Sequence, residues 1–147
     1  MKAVVTRVTS ASVTIGGEVC GQIGRGFLVL LGVGPNDTEA QAARLADKVT
    51  GLRVFEYENE KMNRNLAAVG GGLLVVSQFT LYADTKSRRP GFTGAAKPDV
   101  AIPLYEAFLS ECARLGFPPQ HGRFGADMQV YSVNDGPVTI LLDTDLM

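Results

Sequence analysis

Tryptophan is missing from this 147-residue chain, histidine occurs once and cysteine only twice. With His121 alone and Cys20 and Cys112 far apart in sequence, the nitrogen and sulfur donors of a zinc site cannot be assembled. The two cysteines also make no spaced disulfide framework, and each sits in an apolar-periodic segment, so they read as reduced, buried thiols. Neither sign of charge dominates: 14 Lys and Arg stand against 15 Asp and Glu. That balance excludes a wholesale basic surface and confines any nucleic-acid contact to a local patch. No apolar run is long enough to span a bilayer. The start, Met1-Lys2-Ala3-Val4-Val5-Thr6-Arg7, lacks the long apolar core and small-residue cleavage site of a secretory signal. The expectation is one compact cytoplasmic domain over 1–147, with no metal and no cofactor.

Glycine, by contrast, is plentiful, but its placement excludes nucleotide fingerprints. Gly21-Gln22-Ile23-Gly24-Arg25-Gly26 has the wrong order for dinucleotide binding, and no Walker lysine follows a glycine run. These glycines read as turns. Residues 3–8 and 11–15 are rich in Val, Thr and Ile, and Gly16-Gly17 separates the second run from Glu18-Val19-Cys20. That pattern predicts antiparallel strands joined by a tight turn. Phe27-Leu28-Val29-Leu30-Leu31 is apolar throughout, as a strand buried on both faces requires.

After Gly34-Pro35, Asn36 or Asp37 is placed to cap a helix over 38–50, where Ala42, Leu45, Ala46, Val49 and Leu52 recur at helical spacing. Arg53-Val54-Phe55 reads as a short strand and 57–65 as a polar turn. Leu73-Leu74-Val75-Val76 leads a further strand into Ser77-Gln78-Phe79. Pro98-Asp99 opens a second helix with an apolar stripe of Ala101, Leu104, Tyr105, Phe108, Leu109, Cys112 and Leu115, ended by Gly116 and Pro118-Pro119. Two final strands are predicted at 128–133 and 138–142, with Asn134-Asp135-Gly136-Pro137 between them. Strands and helices do not alternate, so the fold class is α+β: largely antiparallel or mixed sheets packed in layers with two main helices outside.

Conventional catalytic sets are hard to build. His121 lies beyond a double proline, neither cysteine looks exposed, and there is no Gly-x-Ser-x-Gly elbow. Glu56, Glu58, Asp127 and Asp143 have no spacing that makes them a carboxylate pair. Two segments remain. Ser77-Gln78-Phe79-Thr80 puts hydroxyls, an amide and rigid backbone N–H groups at the end of a buried strand, where a ligand is readily met. Equally, it is a strand leaving the core through ordinary polar residues. Asn134-Asp135-Gly136-Pro137, taken alone, reads first as a turn.

Together, Ser77-Gln78-Phe79-Thr80-Leu81-Tyr82-Ala83 and Asn134-Asp135-Gly136-Pro137-Val138-Thr139 resemble the D-aminoacyl-tRNA deacylase family, over essentially the whole chain. Further matches are Arg7, Lys61-Met62-Asn63, Arg89-Pro90-Gly91-Phe92-Thr93-Gly94-Ala95-Ala96 and Gly122-Arg123-Phe124-Gly125-Ala126-Asp127-Met128. The resemblance implies hydrolysis of the ester linking a D-amino acid to the tRNA 3′ end, by a homodimer with sites at the subunit interface. It implies a cis Gly136-Pro137 bond that reaches into the partner's pocket, where main-chain carbonyls hold the α-amino group and exclude an L side chain. Glycyl-tRNA would then be accepted too.

On the same resemblance, Ser77, Gln78, Phe79 and Thr80 form the catalytic edge, with N–H groups near Phe79 stabilising the oxyanion and the ribose 2′-OH assisting water. Gly136, Pro137, Val138, Thr139, Arg7 and Met128 bind substrate, Arg7 by orienting the Gly-Pro motif. Lys86, Arg88 and Arg89 offer contacts to tRNA phosphates; they read equally well as a solvated loop. A conventional acyl hydrolase with Thr80 or Ser77 as nucleophile and a non-catalytic dimeric binding module are the competing expectations.

Overall fold

The computed structural model describes residues 1–59 and 61–147. Strand β1 (Lys2–Ile15) turns at Gly16-Gly17 into β2 (Glu18–Ile23), and β3 (Gly26–Gly32) returns along β1. The two Val/Thr-rich runs expected at 3–8 and 11–15 are thus one strand. Its first half pairs with β3 and its second half with β2, while an irregularity of pairing lets the inward side change from Ala3, Val5 and Arg7 to Val8, Ala11 and Val13.

Helix α1 (Glu39–Gly51) is capped by Thr38, not by Asn36 or Asp37. Thr38 Oγ1 accepts the Ala40 N–H at 3.3 Å, and Gln41 Oε1 accepts the Thr38 N–H at 2.6 Å, a reciprocal capping box. Asp37 is committed elsewhere: its carboxylate accepts the Gly34 N–H at 2.7 Å and the Met1 α-ammonium at 2.9 Å. A small hairpin follows, β4 (Phe55–Glu56) with β5 (Met62–Arg64). Part of the expected 57–65 loop is therefore strand, too short to carry an alternating pattern; residue 60 of that stretch lies outside the described residues.

Strand β6 (Gly72–Ser77) lies parallel to β3, and a 3-10 turn, Phe79–Tyr82, begins after Gln78. Helix α2 (Pro98–Arg114) starts on Pro98 and buries Ala101, Leu104, Tyr105, Phe108 and Cys112, five of the seven stripe residues. β7 (Gln120–His121) adds to β6 in parallel. β8 (Gln129–Asp143) then runs antiparallel to β1 over nearly its whole length, from Thr14↔Gln129 to Lys2↔Asp143.

The expected pair of tail strands is thus one strand, because Asn134-Asp135-Gly136-Pro137 does not reverse the chain. Between the pairs Thr6↔Thr139 and Val8↔Asn134, β1 advances two residues and β8 five. The surplus forms a bulge opposite Arg7, and extra residues of this kind are how a strand aims a motif outward.

The main sheet has the order β2-β1-β3-β6-β7, with β8 on the other side of β1. Its faces hold separate cores. Phe27, Val29, Leu31, Leu73 and Val75 pack on the helices, where Phe108 is fully buried; replacing such a phenylalanine by alanine costs about 3–5 kcal/mol. Leu28, Leu74 and Val76 face Val8, Ala11 and Val13 as the sheet curls over itself. This two-sided burial is why Phe27 to Leu31 show no alternation. The curl brings β2 onto β7 so closely that a Cβ on Gly21 would lie 3.0 Å from the His121 carbonyl oxygen. Glu18, Val19 and Cys20 project past that contact, so Cys20 is exposed, contrary to expectation, while Cys112 is buried. The architecture is α+β, with mixed and antiparallel pairing and two helices on one face.

Candidate active site

Buried β6 delivers Ser77 and Gln78 to the sheet edge. The Gln78 N–H donates to the Leu31 carbonyl at 2.7 Å, which ties the strand end to β3. The chain then tightens into the 3-10 turn, whose first bond runs from the Leu81 N–H to the Gln78 carbonyl at 3.2 Å. The Phe79 and Thr80 amides precede that bond, at the end of a turn where N–H groups have no intrahelical acceptor. Ser77 and Gln78 are half-buried, Phe79 and Thr80 exposed. The Gln78 Nε2 donates to Thr80 Oγ1, so the Thr80 hydroxyl oxygen accepts from an amide and not from a basic group.

The turn packs against the loop that carries the basic residues. Phe79 meets Phe92 edge to face, with ring centroids 5.1 Å apart. Asp84 and Gly91 exchange backbone hydrogen bonds of 2.7 and 2.9 Å, so Lys86, Arg88 and Arg89 stand exposed on a closed loop. At the turn's other end Tyr82 lies near Gly34, with Lys2 Nζ 4.6 Å from the centre of its ring. Burial, then Asp37, Asp143 and Asp145, push the Tyr82 hydroxyl pKa well above its ordinary value.

The second segment is built around Arg7. Its side chain is 5% exposed, and its Nε donates to the Asp135 carbonyl at 3.0 Å. Nη1 donates to the Val54 carbonyl at 2.7 Å and to Glu56 Oε1 at 3.3 Å. The guanidinium therefore bridges the β4 hairpin to the residue before Gly136. On the other flank, Asn134 Oδ1 accepts the Val138 N–H at 2.9 Å and Asn134 Nδ2 donates to Thr139 Oγ1 at 3.0 Å.

Gly136-Pro137 is clamped from both sides, is exposed, and its peptide bond is cis. Gly136 has φ +130, and a Cβ there would stand 2.9 Å from both Arg7 Nη2 and Val138 Cγ2. Only glycine fits that backbone. Glu56 carries no sequence signal as a site residue, because its hydrogen bond to Arg7 joins segments 49 residues apart; Asn134 stands inside the motif and braces it locally.

One chain does not unite the two segments. Ser77 pairs with Leu31, Leu31 with Ala3, and Ala3 with Leu142, whereas Gly136 stands opposite Arg7, four residues further along β1. That offset is about 13 Å along the strands and about 14 Å across three strand spacings. Met128 packs against the cluster of Val8, Ala11, Val13, Leu28, Leu74 and Val76 and fills the space before Gly122. Val138 is buried behind the motif, and Thr139 is exposed. His121 Nδ1 is engaged by the Gly122 carbonyl at 2.7 Å. Among the described residues, no group of three His, Cys, Asp or Glu side chains converges.

The chain is similar to known proteins over nearly its whole length. A family model described as D-Tyr-tRNA(Tyr) deacylase matches residues 4–143. A D-aminoacyl-tRNA deacylase of Roseiflexus castenholzii is 59% identical, covering 98% of this chain and 92% of that protein. One of Thermus aquaticus is 56% identical, covering 98% and 95%. Among solved structures, the c-Myc DNA Unwinding Element Binding Protein superposes with a TM-score of 0.92 at 44% identity, covering 97% of this chain and 98% of that one. A probable eukaryotic D-amino acid tRNA deacylase shares the fold, with a TM-score of 0.83 at 16% identity and coverage of 96% and 97%. The chain belongs to the D-aminoacyl-tRNA deacylase family of hydrolases.

Proposed function

We propose that this protein hydrolyses the ester between a D-amino acid and the 3′ end of tRNA, releasing free D-amino acid and tRNA, at a site completed by a second copy of the chain. The observation that carries this reading is the distance between the two segments. Ser77–Thr80 and Gly136-Pro137 are each braced and each open to solvent, yet β1 keeps them far apart within one protomer. A two-fold dimer offers each segment the other from its partner. An apolar face suits that partner: Leu141 is 77% and Leu146 86% exposed, beside a cleft of about 530 Å³ that also reaches Val4 and Leu81.

In this arrangement the Phe79 and Thr80 amides face the ester carbonyl and stabilise the oxyanion as water attacks; one such donor is worth about 10²–10³ in rate. The ribose 2′-OH helps to activate the water, and Thr80 is not the nucleophile. The partner's Gly136 and Pro137 carbonyls hold the substrate ammonium. They fix the α-carbon so that a D side chain points outward and an L side chain collides with the motif. Glycyl-tRNA, lacking that side chain, passes the filter. Val138, Thr139 and Arg7 keep the motif in place, and Met128 forms part of the pocket wall. Lys86, Arg88 and Arg89 meet phosphates of the tRNA. Such an enzyme works where aminoacylated tRNA is used, in the cytoplasm.

The test is deacylation of matched D- and L-tyrosyl-tRNA, repeated on tRNA ending in a 2′-deoxyribose. Hydrolysis of the D ester alone, slowed on the deoxy substrate, is expected. Equal rates on D and L would remove the chiral filter, and an unslowed deoxy substrate would remove the ribose hydroxyl from the mechanism.

A further inference from the structure

Arg7 Nη2 stands directly behind the Gly-Pro motif: a Cβ on Gly136 would lie 2.9 Å from it. The three nitrogens of that guanidinium are held separately. Nε donates to the Asp135 carbonyl at 3.0 Å and Nη1 to the Val54 carbonyl at 2.7 Å. Nη2 has a single acceptor among the described residues, Glu56 Oε1 at 3.4 Å. We propose that Glu56 is a specificity-determining positioning residue, which acts through Arg7 to fix the backing of Gly136 and so keeps L-aminoacyl esters out. The inference rests on the deacylase reading and deepens it, by putting one support of the chiral filter on a hairpin outside the motif.

The hairpin is built to hold that carboxylate still. Phe27 is the β3 partner of Arg7, and Phe55 packs on Phe27 with ring centroids 5.0 Å apart. Phe55 is fully buried, and the Arg25 guanidinium carbon lies 5.3 Å from the centre of its ring. β4 is thereby anchored beside the β1 residue whose guanidinium it receives. Glu56 follows at once, paired with Met62 of β5, and the Tyr57 N–H donates to the Lys61 carbonyl at 3.1 Å to close the hairpin. A second carboxylate draws on the same cation from the motif's side: Asp135 Oδ2 lies 3.5 Å from Nε. Glu56 opposes that pull from the hairpin's side. Both carboxylates are partly exposed, so solvent screens their Coulomb energy, and what Glu56 contributes is direction more than strength. Direction matters here, because a filter that excludes by collision needs its support held to about half an ångström. Without Glu56, Nη2 has no protein acceptor, the guanidinium turns toward Asp135, and Gly136 gains room to yield before an L side chain.

The experiment compares wild type with Glu56→Ala, Glu56→Lys and Glu56→Gln on D- and L-tyrosyl-tRNA with enzyme in excess, and records a urea midpoint for each. Glu56→Ala is expected to lower the D-over-L rate ratio about 2- to 12-fold, the equivalent of one ordinary hydrogen bond, and to do so by raising the L rate in absolute terms. Lost stability cannot raise a rate, so this readout separates positioning from a structural role. Glu56→Lys sets a like charge against Nη2 and is expected to lower the ratio further. Glu56→Gln keeps an acceptor oxygen and is expected to hold the ratio near wild type. If the L rate is unchanged in the Ala and Lys variants, or if D and L rates fall by the same factor, Glu56 does not act on the filter, while D-selective hydrolysis by the wild type still supports the deacylase reading. If the wild type hydrolyses both esters equally, the two fall together.

Discussion

Arg7 Nε donates to the carbonyl of Asp135 at 3.0 Å, across 128 residues of sequence, and so fixes the chain at the point where it enters Gly136-Pro137. The rest of the guanidinium is held by Val54 and Glu56. In the proposed mechanism Arg7 is therefore a positioning residue, one step removed from the substrate.

Arg7→Ala leaves the Val54 and Asp135 carbonyls without their donor inside a largely buried site, at about 1–3 kcal/mol for each group left unsatisfied. Glu56 is partly exposed, so its share of the loss is screened. We expect a lower urea midpoint and a fall in the D-over-L rate ratio of at least tenfold. Arg7→Lys is expected to recover part of the stability but not the ratio, since one ammonium cannot reproduce the planar fork. An unchanged ratio in Arg7→Ala would show that the motif holds itself.

Thr80→Ala removes the acceptor of the Gln78 side-chain amide but leaves the backbone N–H in place. We expect kcat for D-aminoacyl-tRNA to stay within about tenfold of wild type, with no trapped acyl-enzyme. Near-complete loss, or a covalent intermediate caught by mass spectrometry in the wild type, would make Thr80 the nucleophile.

The fold should weaken in alkali. Burial pushes both the Cys112 thiol and the Tyr105 hydroxyl up to about 12, from ordinary values of 9.0 and 10.0. In the unfolded chain these groups lose their protons at the ordinary values, whereas the folded protein retains them. Stability is thus intact below about pH 9 and falls as pH rises toward 12. A urea midpoint that declines from pH 9 to 11, and declines less steeply in Cys112→Ala, is expected. A flat midpoint over that range would contradict it.

Salt should weaken substrate binding through Lys86, Arg88 and Arg89. Removing one cation from a phosphate lowers the slope of log affinity against log salt by about 0.7–0.9. Measuring KM between low and moderate salt for wild type and for the triple alanine variant should show a shallower slope in the variant. Identical slopes would return these residues to the solvated loop.

Much of the fold is legible in the sequence because apolar periodicity reports burial. Phe27 to Leu31 and the α2 stripe each show their partners through their own spacing, and both stand where that spacing puts them. What escapes depends on contacts across the chain. Thr38 caps α1 because Asp37 is occupied by Gly34 and Met1. Cys20 is exposed because the β2 tip overshoots the closure at Gly21. Asn134-Asp135-Gly136-Pro137 has turn chemistry but lies within a strand, because β1 pairs on both sides of it. Glu56 cannot be seen as a brace without the fold, because its partner Arg7 is 49 residues away, and no spacing rule relates Ser77 to Gly136. Only the family resemblance relates them, and the register of β1 holds them apart within one chain.

The central claim, that one site draws on two chains, is tested most directly by mixing subunits. One chain carries Phe79→Pro, which deletes an amide at the catalytic edge; the other carries Gly136→Ala, which distorts the motif. Neither variant alone should hydrolyse D-tyrosyl-tRNA selectively. Dissociated, mixed and reassembled, about half the dimers would be hybrids with one intact composite site each, so the account predicts recovery of about one quarter of the wild-type D-selective rate. No recovery, with hybrid dimers present by native mass spectrometry, would mean that both segments act within one chain and would contradict it.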